Sequence, residues 1–157
     1  MPAPLIRQVE GDDLLDAMSW LPSYCFSSSP PLRDIDEQKE IWRQRTGVTC
    51  FAGYEDGCVV ACAGVSNLTQ NVRGALVPMA GIHNVAVHPA ARRKGFARGM
   101  LTEIFACMHR QGKIVSCLYP FLESFYERFG YVTLPKLKRV TFQSATLMPL
   151  ARKNLGG

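Results

Sequence analysis

The sequence predicts an α/β domain built on a mixed sheet. Three observations carry that expectation. Short runs of β-branched residues alternate with segments whose apolar residues recur at helical spacing. A chain of 157 residues has length for one domain with a real core. The stretch 82–108 reads as strand, basic turn and helix in direct succession, the first part of a βαβ unit.

The elements follow in order. Residues 5–10 form a short first strand. Gly11-Asp12-Asp13 makes a turn and a helix start, with acidic residues where the dipole favours them. Leu14, Met18 and Leu21 give the first helix its apolar face, and the region of Pro22 ends it. Residues 27–31 (SSSPP) are a loop. A second helix spans about 33–45, with Ile35, Ile41 and Trp42 inward and Gly47 as the residue after its C-cap. Residues 48–54 and 58–66 are antiparallel strands joined by a hairpin turn at Glu55-Asp56-Gly57. Residues 67–74 are polar and read as a loop, and 75–79 as a short extra strand.

The central unit comes next. Residues 82–88 are a strand that Pro89 stops. Phe96, Met100, Leu101, Ile104, Phe105 and Met108 mark one face of a helix. The turn between them holds Arg92, Arg93, Lys94, Gly95, Phe96 and Ala97. A helix start has free N–H groups and the positive end of the dipole, so this basic turn suits phosphate. Gly95 lets backbone approach a ligand. Beyond Gln111-Gly112-Lys113, the apolar run 114–119 reads as a buried strand. Pro120 opens another helix, FLESFYERF, and Gly130 closes it. Residues 131–134 and 137–143 read as final strands.

Composition narrows the function classes. With 47% hydrophobic and 20% charged residues, the chain reads as soluble and globular. No apolar run approaches the roughly 20 residues of a membrane-spanning helix, and the N-terminus lacks a signal-peptide pattern. A formal charge of +5 suits an anionic ligand, but no basic stripe or nucleic-acid-binding signature appears. The six cysteines have no CxxC spacing and sit mostly in apolar contexts. They read as reduced, mostly buried thiols of a cytoplasmic protein. No histidine has metal-ligand spacing with a cysteine, so no metal is expected.

The turn resembles the acyl-CoA pyrophosphate loop of the GNAT acetyltransferases, whose pattern is Gln or Arg, two residues, Gly, one residue, then Gly or Ala. Arg92, Gly95 and Ala97 fit it. The order of elements is similar to that fold over about residues 3–143. The resemblance implies a central mixed, mostly antiparallel sheet with a parallel splayed strand pair, flanked by helices. Two runs, VPMAGIHNVAVHPAARRKGFARGML and LYPFLESFYERFGY, look like the enhanced-intracellular-survival (Eis) type. Members of that branch carry two such domains and a sterol-carrier-like domain. The expected division is a GNAT domain at 1–143 and a C-terminal tail at 144–157, which could open a linker to further domains.

The resemblance also implies roles. Val85 and Val87 would pair by their main chains with the pantetheine arm of acetyl-CoA, and residues 92–97 would hold its pyrophosphate. Tyr126 falls on the tyrosine that serves as general acid, and a phenol of pKa about 10 is protonated at pH 7. A packed core tyrosine is the plainer reading of that position. Many members use a strand Glu as base, where this strand has His83 and Asn84. Both His83 and His88 titrate in the right range, and Glu123 is more remote. The expected activity is acetyl transfer from acetyl-CoA to a primary amine of a small molecule. A non-catalytic acyl-CoA-binding domain is the alternative. Residues 27–31 and 67–74 would help to build the acceptor pocket, with Asp34, Asp36, Glu37 and Glu40 as its acids. A homo-oligomer is compatible with all of this, whereas a membrane or nucleic-acid partner is not expected.

Overall fold

A computed structural model describes residues 4–26, 33–134, 141 and 143. It divides into two compact units, Met1–Tyr119 and Pro120–Gly157.

The first unit is a mixed sheet in the order β1-β2-β3-β4-β5. These strands are Leu5–Val9, Val48–Glu55, Cys58–Val72, Ala75–Val87 and Val115–Cys117. The first four pair antiparallel, and β5 runs parallel to β4. Helices α1 (Gly11–Ser19), α2 (Leu21–Phe26) and α3 (Ile35–Arg43) precede β2, and α4 (Phe96–Arg110) links β4 to β5. One apolar layer joins Leu15, Met18, Leu21 and Trp42 from the helices to Val9, Cys50, Cys62 and Ala86 of the sheet. Helix α4 buries Phe96, Met100, Leu101 and Ile104, the spacing that the sequence displays.

Several expectations change. Pro22 does not end the first helix but lies in the first turn of α2, where its missing N–H has no intrahelical partner to lose. Helix α3 is shorter than 33–45. Asp34 caps it by accepting from the Glu37 amide at 2.9 Å, and its C-cap is Gln44, so Gly47 lies beyond the helix end. Trp42 is buried on α3, but Ile41 is 40% exposed. Gln38, one turn before Trp42, takes the inward place.

The largest difference is at 67–74. This stretch is no loop: β3 and β4 run on as one long hairpin to a turn at Arg73-Gly74, both at positive φ. The ribbon was illegible because residues 67–72 are all exposed, so no face carries a burial signal. The run at 114–119 is likewise not a buried strand. Only Val115–Cys117 pairs, and Ile114 is 74% exposed.

In the second unit, Leu122 rather than Pro120 starts α5 (Glu123–Glu127), and Gly130 follows at φ +85°. Residues 131–134 are irregular, not a strand, and the expected strand at 137–143 falls largely outside the described residues.

Candidate active site

The site grows out of β4. Strand β5 pairs with β4 only at Met79, Ala80 and Gly81. From Ile82 onward no strand lies on that edge among the described residues. On the other edge, the His88 amide donates to the Val60 carbonyl at 2.8 Å. Backbone groups alternate along a strand, so Val85 and Val87 present theirs to the open edge. Burial pushes the Cys25 thiol on α2 up, and it is held back by Arg92 and by the Val87 amide, which donates to it. Nothing in the spacing of the sequence signals that neighbour.

The strand then feeds the basic turn. His88 caps a short 3-10 segment, Pro89–Ala91, its Nδ1 accepting from the Ala90 amide at 3.3 Å. The His88 ring is stacked on Tyr24 and tilted against Trp20. Arg93 and Gly95 adopt left-handed backbone at φ +64° and +90°. For a non-glycine residue that geometry costs about 1–2 kcal/mol, strain of the kind held at functional sites. Gly95 is the N-cap of α4, and no side chain caps the helix. The first-turn N–H groups, including that of Ala97, therefore remain available to an anion. A Cβ on Gly95 would meet only Pro4 Cγ, at 3.8 Å, so this glycine is required for its φ rather than for clearance.

The expected site residues separate here. Arg92 and Arg93 are exposed and make no ion pair among the described residues. Lys94 is tied to Glu55 at 2.7 Å, which links the turn to the β2–β3 hairpin. The Phe96 ring is buried against Gly53, so only its amide can serve a ligand. Of the expected acids, Asp34 is used as a helix cap and Glu40 binds Arg43 and Gln44.

His83 lies at the irregular part of the β3–β4 pairing, beside Asn84 at φ +52°. Its ring stacks on Trp42, and its Nε2 is buried without a hydrogen-bond partner among the described residues. Burial, then the nearby Arg45, lowers its pKa and keeps it neutral. Tyr126 belongs to the second unit. It is 4% exposed and makes edge contacts with Phe121, Phe125 and Tyr131. Burial, then Tyr131, raises its pKa, so the phenol stays protonated at neutral pH. The packed-tyrosine reading is therefore correct for the ring. Three cysteines are buried, while Cys58 and Cys117 are exposed rather than buried. No group of three or more metal-ligating side chains lies together among the described residues.

Residues 6–134 match the family model of the acetyltransferase (GNAT) domain. The chain belongs to that family. This GNAT domain is accordingly an acyltransferase. It is similar in fold to an acetyltransferase of Trypanosoma brucei, at 21% identity and a TM-score of 0.68, over 88% of this chain and 99% of that one. It is also similar to a protein of Clostridium acetobutylicum described as a predicted acetyltransferase with acetyl-CoA, at 14% identity and a TM-score of 0.71, over 88% and 96% of the two chains. A third likeness is to a conserved protein of unknown function from Enterococcus faecalis, a probable N-acyltransferase. There the identity is 23% and the TM-score 0.70, over 82% of this chain but 32% of that one. No curated protein matches the sequence. No helix among the described residues is long and apolar enough to cross a membrane.

Proposed function

We propose that this domain transfers the acetyl group of acetyl-CoA to a primary amine of a small molecule. The observation that carries the reading is the free edge of β4, which runs straight into the left-handed turn at Arg93 and Gly95 and the uncapped start of α4. That edge fits an extended amide-bearing arm, and the turn fits a pyrophosphate. Val85 by its main-chain groups and Val87 by its carbonyl would hold the arm. The amides of Gly95, Phe96 and Ala97, with Arg92 and Arg93, would hold the phosphates, and Lys94 would brace the turn through Glu55. Acetyl-CoA supplies an activated acyl group as a thioester.

Three proton and charge tasks remain for the protein: removing an amine proton, steadying the carbonyl oxygen and protonating the leaving sulfur. Tyr126 suits the last, because burial keeps its proton in place at neutral pH. The site is proposed to work in the cytoplasm, on a domain of about residues 1–143. The two runs that resemble the Eis type support placing it in that branch.

The test is thiol release from acetyl-CoA against a panel of amines, run beside thermal stability. Tyr126→Phe should lower turnover by about 10²–10⁴ while acetyl-CoA affinity stays unchanged. A variant that loses stability and keeps its turnover would leave Tyr126 a core residue only. Absence of thiol release with every amine would overturn the amine-acetylation reading.

A further inference from the structure

A further cavity opens beside Trp20, whose ring also meets His88. It has a volume of about 410 Å³, and its walls come from α1, α3 and the first residues of β3, with none from β4, β5 or the basic turn. A volume of that size is in the range of small-molecule sites.

Its chemistry is specific. Ser19 lines it, is 1% exposed, and has a hydroxyl with no hydrogen-bond partner among the described residues. A buried hydroxyl left unpaired is unfavourable, so a ligand group that reached it would bind the more tightly. Asp16 and Lys39 face each other at 2.8 Å, one charge of each sign. The rest of the wall is apolar, from Trp20, Ile35 and Val59. Ser19 is also the last residue of α1, and that helix has no basic residue in its final turn to complement the negative end of its dipole.

We infer that this cavity binds a free apolar α-amino acid. The ammonium would take Asp16 and the α1 C-terminus, the carboxylate would take Lys39, and the side chain would lie against Trp20, Ile35 and Val59. The Ser19 hydroxyl would pair with one of the charged groups. A simple amine would leave Lys39 without its partner, and a simple carboxylate would do the same to Asp16. The zwitterion offers each member of the Asp16–Lys39 ion pair a replacement partner, which a single charge does not.

Three probes test it on the full chain: L-leucine, isopentylamine and 4-methylpentanoate. Calorimetry reads affinity, and Trp20 fluorescence reads occupancy of the cavity. The expected result is saturable one-to-one binding of L-leucine, at least tenfold tighter than either single-charge analogue. Ser19→Ala and Lys39→Met should each weaken leucine by roughly tenfold, with the thermal midpoint of each unliganded variant checked for intact folding. Trp20→Phe should abolish the fluorescence change and keep calorimetric binding. No saturable binding of leucine, equal binding of all three probes, or unchanged affinity in folded Ser19→Ala and Lys39→Met variants would overturn the inference. Acetyl-CoA binding is measured in the same preparations, so failure here is distinguishable from failure of the acetyltransferase reading.

Discussion

The two halves of β4 obey opposite rules. From Ala75 to Met79 the strand is one side of an exposed ribbon, and from Ala80 it is embedded in the sheet. In the outer half, Leu68, Gln70 and Val72 on β3 face Met79, Val77 and Ala75, and Leu76 on the opposite face is 72% exposed. Nothing packs the tip among the described residues, and a two-stranded ribbon alone is marginal in water. In the inner half, Ala80, Ile82 and Ala86 are buried, and the strand ends in a turn set by two left-handed residues. The outer half is held chiefly by its own ladder and the inner half by packing. The proposed acetyl-CoA site therefore falls where the backbone is over-determined.

The sharpest way to break the comparison is at Gly95. A β-branched residue cannot hold φ +90° without strain. Gly95→Val should re-form the turn and aim the α4 amides elsewhere. The expected result is a loss of acetyl-CoA affinity of roughly 100-fold or more, about 2.7 kcal/mol, by calorimetry. The thermal midpoint should fall much less, because a Cβ there meets only ordinary contact distance. Unchanged affinity would mean that the phosphate site lies elsewhere.

Core packing in the inner half predicts the next effect. A Cβ on Gly64 would lie 2.8 Å from His83 Nδ1 and closer still to Cε1. The ring is held by its stacking on Trp42. Gly64→Ala should therefore destabilise by about 1–3 kcal/mol, the usual range for overpacking, read from chemical denaturation. A neutral result would show that the His83 ring is mobile.

This contrast also explains what the sequence disclosed. Apolar positions at helical spacing in α4 and the Arg92–Ala97 pattern announced strand, turn and helix, because burial and backbone geometry restrict residue choice there. Asp56-Gly57 and the β2–β3 pairing were legible for the same reason. The ribbon at 67–72 was not, since a strand exposed on both faces has the composition of a loop. The inward place given to Ile41 was misread because helix rotation, not hydrophobicity, decides which residue is buried, and Gln38 is. Two site features left no local trace. The contact between Cys25 and the Val87 amide, and the unpartnered His83 Nε2, arise from residues far apart in sequence.

A smaller effect follows from His83. Its folded pKa is below the ordinary 6.5 because burial disfavours the cation. Above that value the ring is neutral in both states. As pH falls below about 6.5, the unfolded chain takes the proton first, so stability declines until the folded-state pKa is reached. Thermal midpoints measured from pH 7.5 to 5 should fall, and His83→Gln should flatten that slope. An identical slope in the variant would assign the titration to other groups.

The smallest effect is expected at the arm, and it tests the comparison from the other side. Leu68 packs over Gly81, since a Cβ there would come within 2.6 Å of Leu68 Cδ1. The ribbon beyond that contact pairs only with itself: Thr69 with Pro78, Gln70 with Val77 and Asn71 with Leu76. Replacing residues 69–78 by Asn-Gly keeps the Leu68–Met79 pair and gives it a two-residue turn suited to a right-handed ribbon. Such a shortening removes few buried contacts. Acetyl-CoA affinity should stay within about twofold and stability within about 1 kcal/mol, since the altered residues are largely solvated. If affinity instead fell tenfold, the arm would be transmitting order into the inner half of β4 through the shared ladder. If only amine turnover fell, the loss would place the arm in the acceptor pocket.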